Sequence, residues 1–227
     1  QTIIPFIRAA QKYNPDLTFW ISPWCPPSWM KINGDYPVLG SKFNNMPEKM
    51  NYILYGNVND KVDPDEMKLV GKRGDKFPRQ LATTDYFIQD PRYLQAYANY
   101  FCKFIDAYKE QGVNIDMVIY QNEAYSYTPY PGCAWTAEGT VRFNRDYLGP
   151  TLRQKHPEVK LYLGTFNTNR VDYVQKIASD TKLQEYVSGM AFQWEGRESL
   201  PVLRKEHPGW NYICSESECG WGSFDWG

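Results

Sequence analysis

Helix-like stretches alternate along this chain with short stretches that are apolar throughout, and this alternation constrains the fold more than any other feature. Strands that are apolar at every residue are typical of a parallel sheet covered by helices on its faces. The strand candidates cover residues 17–24, 115–121, 159–165, 187–194 and 211–215. The helix candidates cover residues 3–13, 90–112, 136–155, 171–186 and 198–206. The pattern therefore predicts an α/β protein.

The connections differ according to which element they follow. Irregular, polar and aromatic-rich sequence follows the strands, whereas the connections from helix to strand are short. This asymmetry is typical of a (β/α)8 barrel, whose active site is built from the loops after the strands. An open doubly wound sheet shares the alternation, but the chain has neither a GxGxxG nor a GxxxxGK[ST] phosphate-binding pattern. Five strands cannot close a barrel of eight, so we expect an incomplete TIM barrel whose other three strands lie outside this chain.

One irregular stretch, residues 25–89, is far longer than the other connections and is rich in Pro, Gly, Asn and Lys. Structureless loops beyond about 12–15 residues are uncommon in compact domains unless they are functional. Because the stretch follows a strand, we expect a substrate-side insertion within one partial catalytic domain that spans residues 1–227.

Composition excludes several classes of protein. A balance of 25 basic and 26 acidic residues gives no general attraction to nucleic acid, and no apolar run is long enough to span a membrane. The five Cys are scattered without a CxxC pair and only two His are present, so we expect neither a metal nor a cofactor. The high content of 8 Trp and 18 Tyr favours ring stacking on a flat, partly apolar partner, such as a carbohydrate or a base.

Two acidic residues follow strand candidates, where a barrel places its catalytic groups. They are Glu123, at the end of the motif QNE, and Glu216, directly after residues 211–215. Glycoside hydrolysis needs one carboxylic acid to protonate the leaving oxygen and a second carboxylate as nucleophile or base. Three strand–helix units separate the two positions, so a barrel would bring them face to face. From position alone, a capping or solvated acid at 123 and a charged edge loop at 216 are about equally good interpretations.

Aromatic residues also collect near the ends of the strand candidates. Core packing accounts for any one of them, but their clustering at the carboxyl ends of strands favours stacking on a sugar. They are Trp20, Trp24, Trp29, Tyr120, Tyr125, Trp194 and Trp221.

Five segments, in order, resemble glycoside hydrolase family 30, the glucosylceramidase family. They are SPWCPPSWMK, QNEAYSY, PGCAWTAEGTVRFNRDYLGPTL, GMAFQW and CSESECG. The resemblance covers nearly the whole chain. It implies a (β/α)8 barrel, of which this chain holds about strands three to seven, and a C-terminal β-sandwich domain that lies outside this chain.

The resemblance also implies roles for individual residues. Glu123 matches the acid/base and Glu216 the nucleophile, because the family's nucleophile directly follows Ser or Thr. Glu218 would lie one pleat further along the strand, about 6.5 Å away, so we expect it to be a rim acid. The expected substrate-binding residues are Trp24, Asn122, Tyr125, Gln193 and Trp194.

The chain departs from the family at two places. Ala124 stands where many members have Pro, and Gln193-Trp194-Glu195 stands where glucosylceramidases tend to have His-Trp-Tyr. The second departure indicates a rebuilt sugar subsite.

The expected function is a retaining β-glycosidase that acts by double displacement with its carboxyls about 5–5.5 Å apart. Its substrate would be a β-glucoside, a β-1,6-glucan or a glucosylceramide-like glycolipid, in carbohydrate or sphingolipid metabolism. A non-catalytic carbohydrate-binding barrel, or a relative that acts on β-xylosides or β-fucosides, is the alternative. We expect a secreted, periplasmic or cell-surface protein whose signal peptide lies outside this chain; its oligomeric state stays open.

Overall fold

The computed structural model describes residues 3–38, 85–126, 128 and 130–217. Seven α-helices and five strands lie within them. The helices are α1 (Ile3–Tyr13), α2 (Pro91–Glu110), α3 (Ala137–Phe143), α4 (Gly149–Lys155), α5 (Val171–Ala178), α6 (Thr181–Gln184) and α7 (Leu200–Glu206). The strands are β1 (Trp20–Ile21), β2 (Met117–Ile119), β3 (Lys160–Phe166), β4 (Val187–Gln193) and β5 (Asn211–Glu216). Short 3₁₀ helices cover Ser28–Met30 and Trp194–Ser199.

The five strands form a single parallel sheet in the order β1-β2-β3-β4-β5, and the sheet curls into a half-barrel. Each strand pairs with the next one in sequence, and helices lie between all consecutive pairs. This is the topology of a (β/α)8 barrel, and the prediction of an incomplete barrel is confirmed. It places the carboxyl ends of all five strands at one mouth.

Helix α2 begins as its sequence predicts. The Asp90 side chain accepts a hydrogen bond from the Arg92 N–H, and Pro91 occupies the first turn, where a missing N–H costs nothing. Its buried residues recur every three or four positions, which fixes the face that packs on the sheet. They are Leu94, Tyr97, Ala98, Phe101, Cys102 and Ile105.

The predicted helix over 136–155 is interrupted. Thr136 caps α3 by accepting from the Gly139 N–H, but a π-helical turn over Asn144–Leu148 separates α3 from α4. Pro150, in the first turn of α4, has no N–H to donate to the preceding turn, and its ring crowds a regular helix there. A one-turn widening accommodates the Pro without ending the helical path.

The first two strands are shorter than their apolar stretches. Residues 17–24 contribute only Trp20–Ile21, because Pro23 has no N–H for the sheet and Phe19 donates instead to the Asp116 side chain. Residues 115–121 contribute Met117–Ile119.

Both described ends of the long stretch 25–89 lie in the core. Val38, Tyr86 and Phe87 are fully buried, and the Phe87 ring stacks on Trp135 with centroids 5.1 Å apart. The central part of the predicted insertion lies outside the described residues. The predicted insertion is therefore anchored in the core at its two ends.

Candidate active site

Two non-glycine residues at the barrel mouth have left-handed backbone conformations. Glu123 has φ of 49° and Trp194 has φ of 47°, and each lies in the turn that follows a strand. Such φ values are uncommon for residues other than Gly, and at bulky residues they cluster at functional sites. The two turns bring the two side chains together.

The Glu123 carboxylate is held by a donor at each oxygen. Trp194 Nε1 donates to Oε1 at 3.0 Å, and the Ser126 hydroxyl donates to Oε2 at 2.9 Å. The Glu123 backbone N–H donates to Thr165 Oγ1, at the end of β3, at 2.8 Å. Segments after β2 and β4 and the end of β3 therefore fix the orientation of this carboxylate.

Gln193 joins the two sides of the mouth. Its Nε2 donates to Asn122 Oδ1 and to Glu216 Oε2, both at 2.9 Å. The side chain is buried at the end of β4, so it cannot swing away into solvent. One amide thus ties the residue before Glu123 to the second acid.

Glu216 lies at the end of β5, within electrostatic range of Glu123. Although its side chain is exposed, the surrounding protein displaces part of its water, and this desolvation raises the pKa of Glu216. The charge of Glu123 raises that pKa further. The structure therefore places the two predicted acids close enough for the charge of Glu123 to act on Glu216.

The aromatic rings of Trp24 and Tyr130 lie next to each other. Trp24 is 51% exposed, and its ring lies 5.9 Å from that of Tyr130, with the planes tilted by 49°. The pKa of Tyr130 is raised by burial first, and then by the charges of Glu123 and Glu216. Tyr130 therefore lies within electrostatic range of both acids. Sequence analysis missed it because it lies in a Tyr-Pro-Gly turn away from any strand end.

The other predicted aromatic residues have different surroundings. Tyr125 is buried edge-on against Tyr173, 5.0 Å between centroids, and burial raises its pKa to about 12. Tyr120 is buried in the core, and Trp29 packs on Tyr93. Tyr125 thus joins the core instead of the group around Trp24, whereas Glu218 and Trp221 lie outside the described residues.

Three polar residues that the sequence analysis did not single out complete the site: Ser126, Thr165 and Asn167. Asn167 Nδ2 donates to Ser126 Oγ at 2.5 Å, and Ser126 in turn contacts Glu123. Thr165 and Asn167 follow or end an apolar strand that carries no acid, so no pattern in the sequence marked them.

Within the described ranges, no group of three or more His, Cys, Asp or Glu side chains could hold a metal ion, and no helix is both long and apolar enough to cross a membrane. What the mouth presents is a pair of carboxyls, amide donors and exposed rings. These groups suit proton transfer and sugar binding.

Comparison with known proteins agrees with this geometry. The glycosyl hydrolase family 30 TIM-barrel domain matches residues 1–52 and 86–226. The chain belongs to this family. The unmatched residues, 53–85, fall within the predicted insertion, so the family's common core does not include them.

Individual relatives of this family 30 chain are distant. Putative glucosylceramidase 1 of Caenorhabditis elegans is 27% identical over 98% of this chain and 36% of its own length. Endo-1,6-beta-D-glucanase neg1 of Aspergillus fumigatus is 26% identical over 82% of this chain and 31% of its own length. The chain thus spans about a third of the length of these curated relatives.

The fold of this family 30 chain is also that of solved structures. The crystal structure of SrfJ from Salmonella typhimurium matches 97% of this chain and 41% of its own, with a TM-score of 0.68 and 21% identity. At that identity the likeness shows the fold alone.

Proposed function

We propose that this chain carries the active site of a retaining β-glycosidase. The observation that carries the proposal is the placement of Glu123, in the turn after β2, and Glu216, at the end of β5, at one mouth, where the charge of Glu123 raises the pKa of Glu216 and Gln193 bridges Asn122 and Glu216. Family membership supports glycoside hydrolysis as the chemistry.

In this proposal the two acids have different tasks. Glu216 attacks the anomeric carbon, and Glu123 gives a proton to the leaving oxygen, so that a covalent glycosyl-enzyme forms. Glu123, now ionised, then takes a proton from a water molecule that releases the sugar with its original β configuration. The fixed orientation of Glu123 suits a residue that must serve both steps.

The proposed substrate is a β-glucoside, a β-1,6-glucan or a glucosylceramide-like glycolipid. Relatives named glucosylceramidase and endo-1,6-beta-D-glucanase support this range. The exposed Trp24 and Tyr130 rings offer a stacking surface for a sugar beside the acids. A secreted or cell-surface location, where such glycans are met, belongs to the same proposal.

A panel of aryl β-glycosides tests this function on the full-length protein. We expect turnover of the glucoside, with weaker activity on the xyloside and fucoside, and proton NMR of the first product should show the β anomer. Sugar binding without turnover would instead indicate a carbohydrate-binding barrel. An α product would contradict the retaining mechanism.

A further inference from the structure

The hydrogen bonds from Asn167 to Ser126 and from Ser126 to Glu123 run in one direction, and this direction could be reversed. Asn167 Nδ2 donates to the Ser126 hydroxyl, and Ser126 donates to Glu123 Oε2. Because the amide N–H occupies a lone pair of Ser126, the single hydroxyl proton is directed at Glu123. In this direction, the two hydrogen bonds stabilise the ionised carboxylate of Glu123.

The opposite oxygen of Glu123 has a donor that cannot change direction. Trp194 Nε1, 3.0 Å from Oε1, is an indole N–H that donates and never accepts. A proton on Glu123 consequently has no acceptor on the Trp194 side. The oxygen that can share a proton with the protein is Oε2, which faces Ser126.

Asn167 carries the hydrogen-bond acceptor that the opposite direction of these hydrogen bonds requires. Its Oδ1 is buried and, among the described residues, has no hydrogen-bond partner. A half-turn of the amide would exchange Nδ2 for Oδ1 and make Asn167 the acceptor of the Ser126 hydroxyl. Ser126 Oγ could then accept a hydrogen bond from protonated Oε2 of Glu123.

We infer that Ser126 and Asn167 form a reversible hydrogen-bond relay that supports Glu123 in both its protonated and its ionised state. Both are positioning residues, since they act through Glu123. The inference rests on the proposed function, in which one carboxyl must alternate between acid and base within each turnover. A neutral amide suits this task because it can donate or accept without a change of charge.

Apart from the carboxyl that Asn167→Asp introduces, the titratable groups within electrostatic range of Glu123 are the same in every variant of the test. They are Glu216 on β5 and Tyr130 on the segment after β2. On the segment after β3, Arg170 pairs with Asp172 at 2.7 Å.

Two substitutions of Asn167 separate a relay from a structural support. Asn167→Asp introduces a carboxylate that only accepts hydrogen bonds. The Ser126 hydroxyl should then donate to residue 167, the reverse of the present direction, and the substitution also adds a negative charge. We expect the alkaline limb of the kcat/KM–pH profile to move up by about one pH unit. Asn167→Leu, of similar volume, leaves Ser126 donating to the carboxylate and removes the acceptor, so the alkaline limb should move down.

The relay would be contradicted if the alkaline limbs of both variants coincided with that of the unsubstituted protein. It would also be contradicted if both limbs moved in the same direction. Thermal unfolding of each variant shows whether it is folded. If either Asn167 variant does not fold, Ser126→Ala and Ser126→Thr decide the question. Ser126→Ala should lower kcat/KM about tenfold for phenyl glycosides and much less for dinitrophenyl glycosides, whereas Ser126→Thr, which keeps the hydroxyl, should lose less than Ser126→Ala on phenyl glycosides. Equal losses in these two variants would also overturn the relay.

The same assays distinguish a failed relay from a failed function. If the unsubstituted full-length protein does not hydrolyse a dinitrophenyl β-glycoside, the proposed function fails and the relay fails with it. If it does hydrolyse this substrate, but the variants respond alike, only the relay is wrong.

Discussion

At the scale of single residues, the site depends on side chains that were easy to foresee and on backbone conformations that were not. The acids stood out because they follow apolar strands and occur in segments that resemble a known family. The left-handed conformations of Glu123 and Trp194 had no such signal, since neither residue is Gly or Asn. Trp194 was expected to bind a sugar because it follows a strand and matches an aromatic residue of the family, but nothing in the sequence indicated that its indole donates to Glu123.

Removing the proposed acid should affect substrates according to their leaving groups. Glu123→Ala should slow phenyl glycosides by about 10²–10⁴-fold. Dinitrophenyl glycosides should lose far less in the first step, because their leaving group needs no proton. Added azide should restore turnover and give a β-glycosyl azide. Equal loss on both substrates would count against the role of Glu123.

The protonation states that the proposed mechanism requires predict a pH effect. Desolvation raises the pKa of Glu216, and a nucleophile works only when ionised, so activity should rise with pH through that raised pKa. In this range the proposed acid, Glu123, must carry its proton and no charge. Glu123→Gln is also neutral, so with dinitrophenyl substrates, which keep the variant measurable, the acid limb should stay where it is in the unsubstituted protein. An acid limb that moves to lower pH would show that Glu123 is charged in this range, which would contradict its role as the acid.

At the scale of elements, local patterns predicted most of the structure. The cap of α2 follows directly from Asp90-Pro91, and the prediction of α1 over residues 3–13 is confirmed. The π turn before α4 comes from Pro150, which the prediction of one continuous helix over residues 136–155 did not take into account. Tyr125 was expected to bind substrate because it follows a strand candidate. Its burial on Tyr173 is a long-range contact that local sequence does not encode.

The start of α3 gives an element-scale prediction. The Asp85 carboxylate accepts from the Thr136 N–H at 2.7 Å, and a methyl group added at Gly139 would overlap that carboxylate. Gly139→Ala should therefore destabilise the protein by about 1–3 kcal/mol, despite the better helix propensity of Ala. Denaturant unfolding of Gly139→Ala, Asp85→Ala and the double variant forms a cycle. Strict additivity would contradict the proposed overlap.

At the scale of the whole molecule, the order of elements predicted the half-barrel, because alternating helices and apolar strands have few other arrangements. The length of residues 25–89 predicted an insertion but not its anchoring, since Val38, Tyr86 and Phe87 join the core from sequence without regular periodicity. The family match, which omits residues 53–85, supports an addition to a common barrel.

Shortening that addition should change substrate preference and leave the barrel folded. A deletion within residues 53–79 spares Tyr86, Phe87 and Asp85, whose carboxylate accepts from the Thr136 N–H. We expect KM or chain-length preference on β-1,6-glucan oligomers to change, with thermal unfolding close to that of the unsubstituted protein. A shortened protein that no longer folds would show that this stretch is structural.

In the proposed mechanism, Glu216 forms a covalent bond to the sugar. An activated 2-fluoro β-glucoside, incubated with the full-length protein, forms the glycosyl-enzyme but slows its hydrolysis, so the intermediate accumulates. Proteolysis and peptide mass spectrometry then locate the label. We predict a single fluoroglucosyl group on Glu216, and none in the Glu216→Gln variant. A label on Glu218 would contradict the assignment of the nucleophile, and no label, together with an inverted product, would contradict the double-displacement mechanism.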